Sequence, residues 1–190
     1  MTPEVRDFLR HLADERQLSD HTVEAYARDL GQLTQFLTEY LGHPNWSWSD
    51  DEVDRLALRG FMGWLGRRGL TKRTIGRRLS ATRSFFAFLH AEDRVPRNPA
   101  RAVRSPKMDK ALPGHLSRGD VQDVFEAAQA RAAQNTLGTT RDLVILELLY
   151  GSGLRLSEMH GINVGSIDPN SKLVRGMGKG RKERIVPVTA

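Results

Sequence analysis

The sequence contains no cysteine and no long run of apolar residues. The first absence excludes disulfide bonds, thiolate metal sites and cysteine nucleophiles. The second excludes a helix with the roughly 18 apolar residues that a membrane span requires. The N-terminus, Met-Thr-Pro-Glu, also lacks the basic and apolar regions of a secretory signal. We therefore expect a cytoplasmic protein that is not inserted in a membrane.

Metal-binding patterns are also missing, because the six histidines show no His-Glu-x-x-His or comparable spacing. What the sequence does have is an excess of positive charge, with 29 lysines and arginines against 23 acidic residues. Its isoelectric point is about 10. This balance favours a polyanionic partner. The 190 residues are enough for one large domain or two small ones.

The basic residues are concentrated between positions 67 and 83, a stretch that contains no acidic residue. Such a concentration suits contact with a phosphate backbone. The basic residues of this stretch are Arg67, Arg68, Lys72, Arg73, Arg77, Arg78 and Arg83.

Apolar spacing predicts four helices with short connections in the first half of the chain. Ser19 is expected to cap the second helix and Gly42 to end it. The third helix is expected to start after Ser49, with an acidic first turn at residues 50–52. Thr71 is expected to cap the fourth. The predicted inward-facing residues are Val5, Phe8, Leu9 and Leu12, then Val23, Tyr26, Leu30, Leu33, Leu37 and Tyr40, then Val53, Leu56, Phe61 and Leu65, then Ile75, Leu79, Thr82, Phe86 and Leu89.

The fourth helix has a basic face made of small and cationic side chains. With Ile75 set at the centre of the core face, Arg73, Arg77, Ser80 and Ser84 fall near the opposite pole at about 100° per residue. That shape fits a nucleic-acid groove. The alternative is an ordinary solvated face, but such a face usually mixes charges of both signs.

Residues 106–116 form a basic connector punctuated by prolines, which indicates a domain boundary. Before it, Asn98-Pro99 can start a short helical turn. After it, Ser117 and Asp120 resemble a capping box for a helix with Val121, Val124, Phe125 and Ala128 on one face. The next helix is expected to be capped by Thr140 and to bury Leu143, Leu146, Leu149 and Tyr150 in a second core.

The last part of the chain combines a short helix with strands. Ser152 is the expected cap of a helix from Leu154 to about His160, which would put Arg155 in the first turn beside unpaired N–H groups. Strand-forming residues then predict a small antiparallel sheet with Pro187 at an edge or a strand end. The predicted strands are Ile162–Ile167, Leu173–Met177 and Arg184–Val188.

Arg155 and Lys179 belong to separate backbone elements and can place two cations beside one anion. A phosphodiester is the expected ligand. Arginine can engage two non-bridging oxygens at once, and lysine can give a proton to a leaving oxygen. The simpler alternatives are an Arg155–Glu158 pair within one helix and a solvated Gly-Lys-Gly hairpin tip.

Four motifs together resemble the tyrosine recombinases of the Xer and phage-integrase type, over the length of the chain. They are Ser19-x-x-Thr-x-x-x-Tyr26-x-x-Asp-Leu30, Asn98-Pro99, Gly-Ser-Gly-Leu-Arg-Leu-Ser-Glu at 151–158, and Gly-Met-Gly-Lys-Gly-Arg-Lys-Glu-Arg-Ile-Val-Pro-Val at 176–188. The resemblance implies a mainly α protein. Residues 1–105 would form a SAM-like helical core-binding domain, 106–116 a linker, and 117–190 the first part of an α+β catalytic domain with a small antiparallel sheet.

The same resemblance implies DNA strand cleavage through a phosphotyrosine intermediate, as in chromosome or plasmid dimer resolution or DNA integration. No metal, nucleotide or other small-molecule cofactor would take part. Arg155 and Lys179 match the family's catalytic cations, and Glu158 matches a supporting acidic residue. Double-stranded DNA and other recombinase subunits are the implied partners. We assign the DNA contacts to Thr22, Lys72, Arg73, Arg77, Ser80 and Ser84.

One part of the family pattern is absent. A His-x-x-Arg motif, a further His or Trp and the nucleophilic tyrosine all follow the lysine hairpin in that family, whereas this sequence ends at Ala190. Tyr26, Tyr40 and Tyr150 have the spacing of core residues. None of them matches the position of the family's nucleophilic tyrosine. We therefore expect a chain without its cleaving group. It would be either a piece of a longer recombinase or a non-cleaving module that occupies recombination half-sites.

Overall fold

The chain folds into two compact units, Met1–Ala111 and Leu112–Ala190. This computed structural model describes residues 1–108, 114–178 and 182–188. The first unit is helical, and the second combines helices with a small antiparallel sheet. The predicted fold class, mainly α with a small antiparallel sheet, is confirmed.

The helices of the first unit start and end where the sequence offers caps. The side chain of Thr2 accepts from the N–H of Val5, and that of Thr71 accepts from the N–H of Thr74. Gly42 ends the second helix with a positive φ of 74°, a conformation that costs glycine little. The elements are α1 (Pro3–Arg10), continued by a π-helical turn at His11–Glu15, α2 (Asp20–Leu41), α3 (Arg55–Arg67), α4 (Lys72–Ala91) and a 3-10 turn at Pro99–Ala102.

Aromatic side chains fill the core of the first unit. Trp48 lies edge-on to Phe85, with ring centroids 4.7 Å apart, and its indole N–H donates to the hydroxyl of Thr2 at 3.1 Å. Because a buried indole needs a partner for its N–H, this bond ties the N-terminus to the loop before α3. The predicted inward residues of α4, from Ile75 to Leu89, are all buried.

The third helix begins later than expected. Asp54 caps α3 by accepting from the N–H groups of Leu56 and Ala57, at 2.7 and 2.8 Å. Asp50, which was expected in the first helical turn, instead accepts from the N–H of Ser47 in a turn. Leu56 is 61% exposed and was wrongly assigned to the core. At about 100° per residue it lies roughly 140° around the helix from the buried Phe61.

Tyr40 and Tyr150 were also wrongly assigned to the core, because they are 49% and 65% exposed. Tyr40 stacks on Phe36, with ring centroids 5.4 Å apart, and Tyr150 lies edge-on to Phe125 at 5.6 Å. Tyr26 packs against the core of the first unit as expected.

The second unit opens with the predicted capping box, in which the side chain of Ser117 accepts from the N–H of Asp120 and the Asp120 carboxylate accepts in return. The next cap differs: Thr136, four residues before the expected Thr140, accepts from the N–H of Thr139. The elements are α5 (Arg118–Ala132), α6 (Leu137–Leu146), continued by a π-helical turn at Glu147–Gly151, α7 (Leu156–His160), a 3-10 turn at Val164–Ser166, β1 (Ile167–Asp168), β2 (Leu173–Met177) and β3 (Glu183–Pro187).

The sheet has the order β1-β2-β3 with antiparallel pairing throughout. The first strand is shorter than predicted, because Val164–Ser166 form a 3-10 turn before β1. Pro187 ends the edge strand β3, as expected for a residue that cannot donate to the ladder.

The core of the second unit lies between α7 and the sheet. Leu154, Val174 and Val186 are its buried residues. The predicted core on α5 and α6 is not found in the described residues, since neither helix contains a fully buried side chain. Helical spacing shows which face of each helix is apolar. It does not show whether another element packs against that face.

Candidate functional site

Arg155 stands at the entrance of α7, where it serves as the N-terminal cap residue. Its N–H donates to Glu158 Oε2 at 2.9 Å, and its side-chain Nη1 donates to Glu158 Oε1 at 2.7 Å. Ser152 was wrongly predicted as the cap, because its hydroxyl donates to the carbonyl of Pro187 instead. The N–H of Arg155 is therefore already paired and is not free for an anion.

Glu158 is almost completely buried, with 1% of its surface exposed. The hydrogen bond from the Arg155 backbone N–H lowers the pKa of this carboxyl below its ordinary value of 4.5, and the Arg155 side chain adds to the effect against the opposing influence of burial. The Arg155 side chain, by contrast, is 62% exposed. A buried anion thus anchors a cation whose remaining donors face solvent.

The β2–β3 hairpin also contacts Glu158. Arg184 of β3 places Nη1 3.5 Å from Glu158 Oε2, and the N–H of Gly178 donates to the carbonyl of Lys182 at 2.7 Å to close the hairpin stem. A side chain at position 178 would come within 3.2 Å of Glu158 Oε1. This distance is tighter than most Cβ contacts, so glycine lets the hairpin stem approach Glu158 without crowding.

Lys179 lies outside the described residues. Its convergence with Arg155 on one anion therefore stays a prediction. Sequence reasoning missed Arg184, although the expected strand pairing would have placed it on the face of the sheet that carries Val186.

The predicted DNA-contacting residues of α4 differ in their surroundings. Lys72, Arg73 and Ser80 are exposed, whereas Ser84 is half-buried. No partner for Arg73 occurs among the residues that the structure describes. Thr22, in the first turn of α2, shares a hydroxyl contact of 2.9 Å with Ser19. Contact of these residues with DNA stays a prediction.

Arg77 is engaged by the protein itself. Its Nη2 donates to Asp29 Oδ1 at 2.8 Å and its Nη1 to Asp29 Oδ2, while its side chain remains 52% exposed. Arg78 also approaches Asp29, with Nε 3.4 Å from Oδ1. Burial lowers the pKa of Arg78. The stretch 67–83 lacks acidic residues in sequence, yet α2 supplies it with a buried carboxylate.

Two further arginines of this stretch have protein partners. Arg68 lies over the ring of Trp64, 3.7 Å from its centroid. Arg83 donates through Nε to the carbonyl of Ala100 and through Nη1 to the hydroxyl of Ser105, both at 3.2 Å, and through Nη2 to the carbonyl of Val103. Several arginines of the stretch 67–83 therefore support the fold. Arg73 is the cation of this stretch that is most clearly exposed.

Neither a cluster of potential metal ligands nor a helix long and apolar enough to cross a membrane occurs within residues 1–108, 114–178 and 182–188.

Comparison with known proteins matches both units to family models. Residues 5–93 match the phage integrase N-terminal SAM-like domain, and residues 115–190 match the phage integrase family. The first description agrees with the predicted SAM-like domain. The exact domain limits at 105 and 117 stay a prediction.

Curated relatives include proteins named tyrosine recombinase XerC. That of Syntrophus aciditrophicus is 39% identical over 188 residues, which cover 97% of this chain and 59% of the relative. That of Myxococcus xanthus is 38% identical over 190 residues, covering 100% and 60%. This chain thus spans about three fifths of the length of these relatives.

Solved structures share the fold at low sequence identity. A lambda integrase tetramer bound to a Holliday junction superposes with a TM-score of 0.72 at 14% identity, covering 98% of this chain and 50% of that one. The Tn1549 transposon integrase with circular intermediate DNA gives a TM-score of 0.70 at 16% identity, covering 98% and 59%.

Proposed function

Because this chain belongs to the phage integrase family of tyrosine recombinases, we propose that it supplies the DNA-binding unit and the arginine-bearing part of the cleavage site of a site-specific recombinase. The observation that carries the proposal is the exposed Arg155 guanidinium held on the buried Glu158 carboxylate. A charged side chain fixed in this way is preorganised for an anionic ligand.

The proposed reaction is exchange at a phosphodiester of duplex DNA. A tyrosine hydroxyl loses its proton to solvent as its oxygen forms a bond to phosphorus. The bond from phosphorus to a deoxyribose oxygen breaks, and that oxygen takes up a proton. Negative charge grows on the non-bridging oxygens, where Arg155 can donate two hydrogen bonds. Lys179 is proposed as the donor of the proton to the leaving oxygen. Because one ester replaces another, the exchange needs no energy-rich nucleotide.

Binding is proposed to depend on the basic face of α4. Arg73 is exposed and can reach a phosphate. Arg77 is paired with Asp29, and its side chain is 52% exposed. Thr22, Lys72, Ser80 and Ser84 are proposed as the surrounding contacts. The partners are double-stranded DNA and other recombinase subunits on that DNA, and the proposed location is the cytoplasm, where chromosomal and plasmid DNA lie.

The test is binding of the purified chain to a fluorescent random-sequence duplex across a range of salt concentrations. Arg73→Ala should lower affinity and reduce the slope of log K against log salt by about 0.9, the effect of one phosphate contact. Arg6→Ala, an exposed arginine of α1, removes the same charge and serves as the control. Equal behaviour of the two variants would exclude Arg73 as a phosphate contact.

A second candidate is a module that occupies recombination half-sites without cutting. It is favoured by the surroundings of the three tyrosines: Tyr26 packs against the core of the first unit, Tyr40 stacks on Phe36, and Tyr150 lies edge-on to Phe125. Both candidates predict DNA binding, and they differ in whether a covalent adduct forms.

A further inference from the structure

Arg184 contacts the same carboxylate as Arg155, that of Glu158. The two guanidinium groups approach opposite oxygens of one carboxylate, with Arg155 Nη1 2.7 Å from Oε1 and Arg184 Nη1 3.5 Å from Oε2 of Glu158. The two arginines come from different elements, the start of α7 and strand β3. They are neighbours because Glu158 lies between them.

The sheet directs Arg184 toward this position. Successive side chains of a strand alternate between faces, so Arg184 lies on the same face as Val186, which is buried against α7. Its partner across the strands is Gly176. A Cβ at position 176 would lie 3.5 Å from Glu158 Cβ, an ordinary van der Waals distance, so strand β2 runs directly beside the glutamate.

The charges of this cluster do not cancel. Two arginines surround one carboxylate, which leaves one net positive charge. The Arg184 side chain is 43% exposed, and its contact to Glu158 is longer than a strong charge-assisted hydrogen bond. Most of its N–H donors are therefore available to a further acceptor.

We propose that Arg184 is a second phosphate-contacting residue of this site, which binds the same DNA phosphodiester as Arg155. This inference rests on the proposed function, and it assigns a role to a residue outside the arginine and lysine pair. Glu158 sets the spacing of the two guanidinium groups, and the bound phosphate supplies the negative charge that the cluster lacks.

Duplex binding across salt concentrations tests the role with Arg184→Gln, Arg184→Lys, Arg155→Gln and Arg175→Gln. Arg175 is the control, because it is exposed on the outer face of the same sheet. Arg184→Gln should lower affinity about tenfold, as expected for one lost charge-assisted hydrogen bond. It should also reduce the salt slope by about 0.9, whereas Arg184→Lys should preserve the slope. Arg175→Gln should change neither quantity.

Three results would contradict parts of this account in distinguishable ways. If Arg155→Gln weakens binding but Arg184→Gln behaves like the control, Arg184 makes no phosphate contact and the proposed function stands. If Arg184→Gln lowers affinity with an unchanged slope and a lowered melting temperature, Arg184 only supports the hairpin, and the inference fails. If the unmodified chain does not bind duplex DNA, the proposed function itself fails.

Discussion

Asp29 of α2 and Arg77 of α4, 48 positions apart in the chain, form a two-pronged ion pair in which the carboxylate is buried and the guanidinium is half-exposed. Arg78 approaches the same carboxylate from the next position of α4, with its side chain only 13% exposed. Asp29 thus fixes the packing of α4, the helix proposed to meet DNA, against α2.

We expect Asp29→Asn to destabilise the first unit by about 3 kcal/mol, the lower end for a broken buried pair, because Arg77 keeps part of its hydration. All three tryptophans, Trp46, Trp48 and Trp64, belong to this unit, so tryptophan fluorescence in urea reports its unfolding alone. The control is Glu24→Gln, which removes an exposed pair with Arg28 on the same helix and should cost less than about 0.5 kcal/mol. Equal midpoints for the two variants would contradict a structural role for Asp29.

Arg83 and Arg73 should respond oppositely to replacement by methionine. Arg83→Met removes the donors that satisfy the buried carbonyls of Ala100 and Val103, so we expect a loss of about 1 to 3 kcal/mol in the stability of the first unit. Its effect on the salt slope of DNA binding should be small. Arg73→Met should reduce that slope while leaving stability within about 0.5 kcal/mol. The same response from both variants would refute the division of the basic stretch into structural and exposed residues.

The second unit should lose stability in acid because of Glu158. The folded-state pKa of this carboxyl lies below the ordinary value of 4.5, so its ionised form stabilises the fold above that pH. This contribution decreases as the pH falls below 4.5 and is lost through the folded-state pKa. Carboxyl carbon NMR of the unmodified chain measures that pKa directly.

Thermal unfolding against pH gives the second measurement of this effect. Glu158→Gln should show a smaller acid-dependent loss than the unmodified chain, because Asp120 and Asp168 of the same unit, whose pKa values are also lowered by hydrogen bonds, remain. Glu183→Gln, exposed on β3, should retain the full loss. A Glu158 titration at or above 4.5 would show that the bonds from Arg155 do not favour the ionised form.

We expect the 190-residue chain to form no covalent adduct with a nicked suicide duplex. Tyr26 packs against the core of the first unit, and the exposed Tyr40 and Tyr150 rest their rings on Phe36 and Phe125; none of the three matches the position of the family nucleophile. The assay is denaturing electrophoresis of a labelled strand after incubation. An adduct that disappears in one Tyr→Phe variant would identify a nucleophile that the sequence comparison missed.

Local signals in the sequence predicted most element starts. Thr71 and Ser117 are followed by helices at the expected residues, because capping depends on atoms only three positions away. The start of α3 was ambiguous, since residues 50–52 and Asp54 all offer carboxylates near the expected position. Tertiary packing determines where α3 starts. Trp48 and Val53 are buried in the core before the helix, and Asp54, the next residue, caps it.

Long-range partners could not be predicted in the same way. Asp29 lies far from Arg77 in sequence, and nothing in the spacing of either helix indicates their pairing. The sequence allows a simple Arg155–Glu158 pair as the alternative to an anion site, and the structure contains this pair. Because Arg155 is exposed and Glu158 is buried, the ion pair is compatible both with a purely structural role and with an anion site.

The dependence of two cations on one carboxylate constrains how this protein can diverge. A substitution of Glu158 would leave Arg155 and Arg184 facing each other without a counter-ion, and a side chain at Gly178 would displace the hairpin from the same carboxylate. Neutral drift at any of these four positions therefore requires compensating changes at the others, so we expect them to covary as a group among descendants of this sequence.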